Sequence, residues 1–350
     1  MSDTDVKVTW KGALFAVLIG LVFLTGVSEI VVRVVYPTWN EFYAGRFLTV
    51  EHVPGYGDVA IGRKNFDGHF SQNNGDFRAH IRINDSGLRN EEPVSDADGR
   101  VWIVGDSMAF GWGVEQDEMY SSVIAGQIET PTYNVASPGT NVCGYQALKA
   151  RMPESVKPRA VVVGLILEND LQEYDCTAYA ARNQARGDKG FDINSIKSAL
   201  TEHVALYNFF AVALKRVDVV REALIWAGVI KRAQAYRNLL DGQDVAAVTR
   251  STAAELKKLQ SMFGDGVPFV VLIAPARFEI ANDDPEFTKI RVAMRAALDA
   301  EGIPYVDPVA AFKDAGFAAT HFIHDGHWSA EGHAIAAATA AEWLGNHVPQ

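Results

Sequence analysis

Cysteine is scarce in this chain. Only Cys143 and Cys176 occur in 350 residues. Neither belongs to a C-x-x-C pair or a Cys/His cluster, which argues against a zinc site. Basic charge is also in short supply. Lys and Arg number 32 against 43 Asp and Glu, a formal net charge of -11. A main partner made of nucleic acid needs a basic face, so that class is set aside. Internal repeats and low-complexity tracts are absent. What remains is a globular composition, 48% hydrophobic and 21% charged, long enough for one large or two modest domains with a sizeable core.

The amino-terminal segment carries the longest apolar run. Residues 12–27 (GALFAVLIGLVFLTGV) contain no charge. Extended to Val32, the run matches the roughly 20 helical residues that cross a bilayer core of about 30 Å. Glu29 lies within it, but Arg33 follows at i+4 on the same helix face and neutralises it. Lys7 and Lys11 precede the span, and Arg33 and Arg46 follow, so the positive-inside rule gives no strong bias. The short tail 1–11 is expected on the cytoplasmic side, with 12–35 an anchor and the body outward, in a periplasmic or other extracytoplasmic space. A cleaved signal peptide, with Gly26 and Ser28 as its small residues, and a buried core helix are the alternatives.

Residues 36–99 are irregular and rich in Gly, Asn and Asp, with short alternating segments such as His80–Asn84. They read as a linker and a small β-rich lead-in. Beyond residue 100 a rhythm appears. Strands are expected at 100–104, 133–135, 160–167, 267–273 and 304–306. Helices are expected at 116–129, 144–156, 247–263, 285–301 and 329–344. Alternation of this kind implies an α/β three-layer sandwich with a mainly parallel, flavodoxin-like sheet. A helical stretch at 192–240, within an insertion of about 183–245, interrupts the rhythm. It carries Leu206, Phe209, Phe210, Leu224, Ile225 and Trp226, and reads as a lid, a dimer face, a membrane-resting surface or an ordinary pair of packed helices.

Four polar clusters fall where strands end or the last helix begins, the rim on which open α/β sheets bind ligands. They are Gly105-Asp106-Ser107, Ser137-Pro138-Gly139-Thr140-Asn141, Glu168-Asn169-Asp170 and His324-Asp325-Gly326-His327. Each alone is a common turn or cap. Together they contain the parts of acyl transfer. A serine hydroxyl needs a base, and His327 is one. Asp325 orients that imidazole and stabilises its protonated form. The backbone N–H groups of Ser107 and Gly139 and the side-chain amide of Asn169 are donors for an oxyanion.

These blocks resemble those of the SGNH hydrolases, also called GDSL esterases and lipases. Gly105-Asp106-Ser107-Met108 is similar to the first block, with Met where Leu is frequent. Asn134–Gly139 resembles the second, Glu168-Asn169-Asp170 the third and Asp325-Gly326-His327-Trp328 the fifth. The resemblance covers about residues 100–345. It implies Ser107 as nucleophile, an oxyanion hole of Ser107, Gly139 and Asn169, a triad completed by Asp325 and His327, and no metal or organic cofactor. Leu167 replaces the usual glycine of the third block. One residue, not two, separates the Asp and His of the fifth, as in envelope branches that O-acetylate polysaccharides, such as the alginate acetylation proteins. His324 and His333 are alternative bases. The segment Ile83–Asn90 resembles a glycine-arginine element of anchored members, whose Arg89 either contacts an anionic substrate or pairs with an acidic neighbour. Cys143 and Cys176 flank the same rim, either as separate thiols or, in an oxidising compartment, as a disulfide.

The implied activity is that of a membrane-anchored serine esterase or O-acyltransferase acting on acylated envelope glycans. A lipid esterase or thioesterase with an apolar lid, and an inactive glycan-binding or scaffold module, are the alternatives. Oligomeric state is not specified by any of these features.

Overall fold

The computed structural model describes residues 9–184, 193–228, 240 and 242–348. Two antiparallel hairpins come first, β1 (Leu48–Val53) with β2 (Gly57–Gly62) and β3 (Asp67–Ser71) with β4 (Arg78–Arg82). The main sheet follows, built of β5 (Val101–Val104), β6 (Thr132–Asn134), β7 (Ala160–Ile166), β8 (Phe269–Ala274) and β9 (Tyr305–Val306). Its order is β6-β5-β7-β8-β9 and every pairing is parallel. That is the doubly wound, flavodoxin-like arrangement expected from the alternation of strands and helices.

The apolar runs explain why the central strands sit inside. Every residue of β5, β7 and β8 is buried. Successive side chains alternate between the two faces. Trp102, Val161, Val163 and Val271 enter one core with the helices Val142–Arg151, Val245–Ser261 and Pro285–Ala300. Val101, Val162, Val270 and Leu272 enter the other with Tyr120–Ile128 and Ala330–His347. Burying each such aliphatic side chain contributes roughly 1.5–3 kcal/mol before conformational entropy is subtracted.

Several expected boundaries move. The helix expected over 116–129 occupies Tyr120–Ile128, because residues 107–110 already turn into a short helix and residues 111–119 form the turns after it. The helix expected over 144–156 runs Val142–Arg151 and stops before Pro153, as proline requires. Asp244 and Asp284 accept N–H bonds and start their helices where caps of that type should. Residues 36–99 are β-rich, yet they pack into the body as no linker does. Val59, Ile61 and Leu88 join one core, and Phe47, Phe70 and Ile81 the other.

The expected 192–240 stretch contains the helices Ile193–His203, Ala205–Arg216 and Asp218–Trp226. Residues 192, 229–239 and much of the amino-terminal tail lie outside the described residues. The apolar amino-terminal segment is a helix, Trp10–Val35, with no buried residue, which overturns its reading as a core helix. It is long and apolar enough to cross a membrane. Near its end it meets the body. Glu29 accepts hydrogen bonds from the backbone N–H groups of Ala205 (2.9 Å) and Leu206 (2.8 Å). Arg33 donates to the Glu29 carboxylate (2.8 Å) and to the His203 carbonyl (2.6 Å).

Candidate active site

Strand β5 ends at Val104, and the chain turns at Gly105. Asp106 then caps a helix of a single turn, Ser107–Phe110, accepting from Met108 N–H at 2.9 Å. This places the Ser107 hydroxyl at the carboxyl edge of the sheet. His327 arrives from the loop before the last helix. With its proton on Nδ1, that imidazole donates to Asp325 Oδ1, and its Nε2 accepts from the Ser107 hydroxyl at 2.8 Å. Serine, aspartate and histidine, 220 residues apart from first to last in the chain, thus form one hydrogen-bonded series. The loop carrying the last two is folded by Gly326 N–H to Phe322 (2.7 Å) and Phe322 N–H to His327 (2.8 Å). Gly326 has a φ of 85°. That left-handed conformation favours glycine between Asp325 and His327, and a Cβ there would also push the Arg277 guanidinium aside.

The other two rim loops are tied to the same turn. Ser137 N–H donates to the Gly105 carbonyl at 3.1 Å, and the Thr140 hydroxyl reaches the same carbonyl at 3.3 Å. Gly139 lies between them at a φ of 74°. Asn169 Nδ2 donates to Asp106 Oδ2 at 3.1 Å. The structure therefore brings Ser107, Gly139 and Asn169 to one rim. Leu167, in place of glycine, is buried in the core. The loop after it is closed by Asp170, whose carboxylate accepts from Ile166 N–H (2.8 Å) and the Tyr145 hydroxyl (2.7 Å). Cys143 and Cys176 are joined as a disulfide, with Cα atoms 5.2 Å apart.

The electrostatics follow from burial and from partners. Burial pushes the Asp106 carboxyl up to about 6, against the Met108 N–H and Asn169 bonds that favour its charge. Asp170 is driven well above the ordinary carboxylate range by burial and by the negative charge of Asp106. Burial also acts to raise Asp325, but the hydrogen bond and charge of His327 and a bond from Gln72 outweigh it. Asp325 is held below the usual range and stays ionised behind the imidazole.

Of the alternative bases, His333 is in the core, accepts from Tyr120 N–H at 3.2 Å and is held neutral by burial, its pKa pushed down to about 3. His324 turns to Asp76, 2.6 Å from its Nδ1. Neither takes the Ser107 bond. Both expectations for Arg89 also fail. It is fully buried and donates to the backbone carbonyls of Phe110, Gly111, Val114 and His80, so it braces the loop after the serine helix. That loop carries Trp112, whose ring stacks on His327 with centroids 5.5 Å apart.

Two residues of the turn between β3 and β4 have no signal in the sequence. Gln72 Nε2 donates to the second oxygen of Asp325, across 253 residues. Asp76 accepts from the backbone N–H groups of His324 (2.8 Å) and Asp325 (2.9 Å). Arg277, from the end of β8, pairs with Glu168 at 2.8 Å and reaches the Asp325 carbonyl at 3.4 Å.

No protein-family model and no curated protein matches the sequence. Solved structures of similar fold are found. One is a member of the lipolytic G-D-S-L family from Veillonella parvula, 12% identical, with 69% of this chain and 96% of that chain covered and a TM-score of 0.39. Another is the lipase/acylhydrolase of Enterococcus faecalis, 13% identical, covering 71% and 97%, with a TM-score of 0.42. A carbohydrate esterase family 2 enzyme with a carbohydrate-binding domain, from Corynascus, is 16% identical over 71% of this chain and 66% of that one, with a TM-score of 0.41.

Proposed function

We propose that the protein is a membrane-anchored serine esterase or O-acyltransferase acting on acylated glycans of the cell envelope. One observation carries the chemistry, the 2.8 Å contact between the Ser107 hydroxyl and His327 Nε2 with Asp325 behind the ring. Ser107 Oγ attacks the ester carbonyl carbon as its proton passes to His327 Nε2. The oxyanion is met by the N–H groups of Ser107 and Gly139 and the Asn169 amide, once that amide turns from Asp106. Collapse expels the alcohol, which takes the proton back from His327 and leaves an acyl-serine. Water or a sugar hydroxyl then attacks the acyl carbon, giving its proton to the same nitrogen, and Ser107 is regenerated. Hydrolysis and transfer differ only in that second nucleophile.

The test is labelling of the full chain with a fluorophosphonate probe. Labelling that disappears in Ser107→Ala supports the enzyme. An unlabelled, well-folded wild type would sink it and favour the inactive binding module. Release of acetate from acetylated polysaccharide, against cleavage of long-chain p-nitrophenyl esters, separates the glycan reading from the lipid esterase. The exposed apolar side chains of the helix Ala205–Arg216 are the feature that favours the lipid reading.

The compartment reading places the amino terminus in the cytoplasm and the body outside. The Cys143–Cys176 bond supports it, because such bonds persist in oxidising spaces. Alkylation of thiols in intact cells, before and after reduction, tests it. Free thiols without a reductant overturn the outward orientation.

A further inference from the structure

We infer that the helices Ala205–Arg216 and Asp218–Trp226 form a shelf resting in the headgroup layer of the membrane that the amino-terminal helix crosses. The inference rests on the anchor reading above and adds to it a second, peripheral membrane contact.

The pattern of Ala205–Arg216 is amphipathic in the unusual sense. Ala205, Asn208 and Val212 are buried where the helix packs on the amino-terminal helix and on the helices Ile193–His203 and Asp218–Trp226, while Phe209, Phe210 and Leu214 are exposed. The next helix also exposes large apolar side chains, Val219 (81% exposed) and Trp226 (90% exposed). Scattered exposed apolar residues are ordinary, but a run of large ones over adjoining helices marks a contact surface.

Position selects the occupant. Helix Ala205–Arg216 starts on Glu29, whose carboxylate takes the N–H groups of its first two residues. Glu29 lies 19 residues beyond Trp10, roughly 28 Å along a helix rising 1.5 Å per residue. That is about the thickness of the hydrocarbon core, so the helix begins near its outer boundary, within the last two turns of the anchor. Phe209 makes an edge contact with Tyr36, the residue after the anchor, with ring centroids 6.3 Å apart. The apolar part, Ala205–Leu214, is too short to cross a bilayer. A short helix that exposes Phe209 and Phe210, followed by one that exposes Trp226 and fixed at that depth, has the composition of an interfacial element. Its far end is tied to the catalytic body, since Arg216 Nε donates to the Asn73 carbonyl at 3.0 Å, beside Gln72. The shelf therefore fixes the height and tilt of the site above the bilayer.

Spin labels test this in the full chain, reconstituted in vesicles of phosphatidylethanolamine and phosphatidylglycerol. Labels are placed singly by Val219→Cys, Trp226→Cys, Leu18→Cys in the anchor and Val292→Cys on the exposed body surface. The readout is collision with oxygen, which concentrates in lipid, relative to a water-soluble nickel chelate. Expected is a ratio several-fold higher at 219, 226 and 18 than at 292. If 18 is in lipid while 219 and 226 match 292, the shelf is overturned and the anchor stands. If 18 itself matches 292, the anchor reading fails and the shelf fails with it. Dipolar broadening at 219 or 226 that vanishes on dilution with unlabelled protein assigns the surface to a second copy and also overturns the shelf. Two labelled positions on exposed side chains keep one misfolded variant from deciding the result.

Discussion

The sheet edge and the lead-in hairpins act on the same triad in different ways. Strand β5 and the loops after β6 and β7 bring Ser107, Gly139 and Asn169 to one rim, because parallel strands end on the same side. The hairpins contribute none of the reacting groups. The turn between β3 and β4 instead grips the acid of the triad, with Gln72 on its carboxylate and Asp76 on the backbone beside it. Arg89, just after the second hairpin, braces the loop that lays Trp112 on His327. Placement of chemistry and restraint of its orientation are thus divided between two parts of the chain.

The sharpest test of that division is on the triad itself. Asp325→Asn should lower kcat by about 10⁴-fold with the fold intact, by loss of the charge that fixes the imidazole tautomer. Hydrolysis of a short p-nitrophenyl ester measures it. A small loss would mean that the hairpin turn, and not the carboxylate, does the orienting. Next comes Arg89→Met, which leaves buried carbonyls without donors and should cost about 3–5 kcal/mol in denaturant unfolding. Arg89→Lys should recover little, because one ammonium cannot span the carbonyls that the guanidinium fork reaches.

A third experiment follows stability with pH. Burial holds Asp106 at about 6, above the ordinary value of 3.8, so the folded chain keeps a proton that the unfolded chain has released. Stability from this group falls as pH rises from about 4 to about 6.5, by about 2–3 kcal/mol. Asp106→Asn should reduce that slope in thermal melts, leaving the part of the same sign that the raised Asp170 contributes. Asp325 works with the opposite sign, since its lowered pKa stabilises above the ordinary range and is lost only as pH falls below it. The smallest effect is expected from Gln72→Ala, about a tenfold fall in kcat at nearly unchanged KM. A loss as large as that of Asp325→Asn would place Gln72 in the chemistry itself and erase the distinction between the two regions.

The sheet side was legible for a physical reason. Short uninterrupted runs rich in β-branched residues, such as Ala160–Ile166, suit strands buried on both faces, and polar residues directly after them fall at the rim. Ser107, Asn169 and His327 are readable from that rule together with the motif resemblance. The hairpin side was not. The turn at Gln72–Asp76 has the composition of any polar loop, and its contacts with Asp325 depend on a packing arrangement without sequence periodicity. Arg89 stands out in the sequence, but its four carbonyl partners come from two separate segments, and no charge pattern announces a backbone acceptor. Helix ends fall where local chemistry stops them, as at Pro153, and not where the apolar periodicity fades.

The bond between Cys143 and Cys176 has a practical consequence. A chain made in a reducing cytosol and a chain exported before oxidation share every residue, yet they differ by one covalent link between the segments that follow β6 and β7. Rates measured on the two preparations belong to two different molecules, and the choice of expression host becomes an experimental variable.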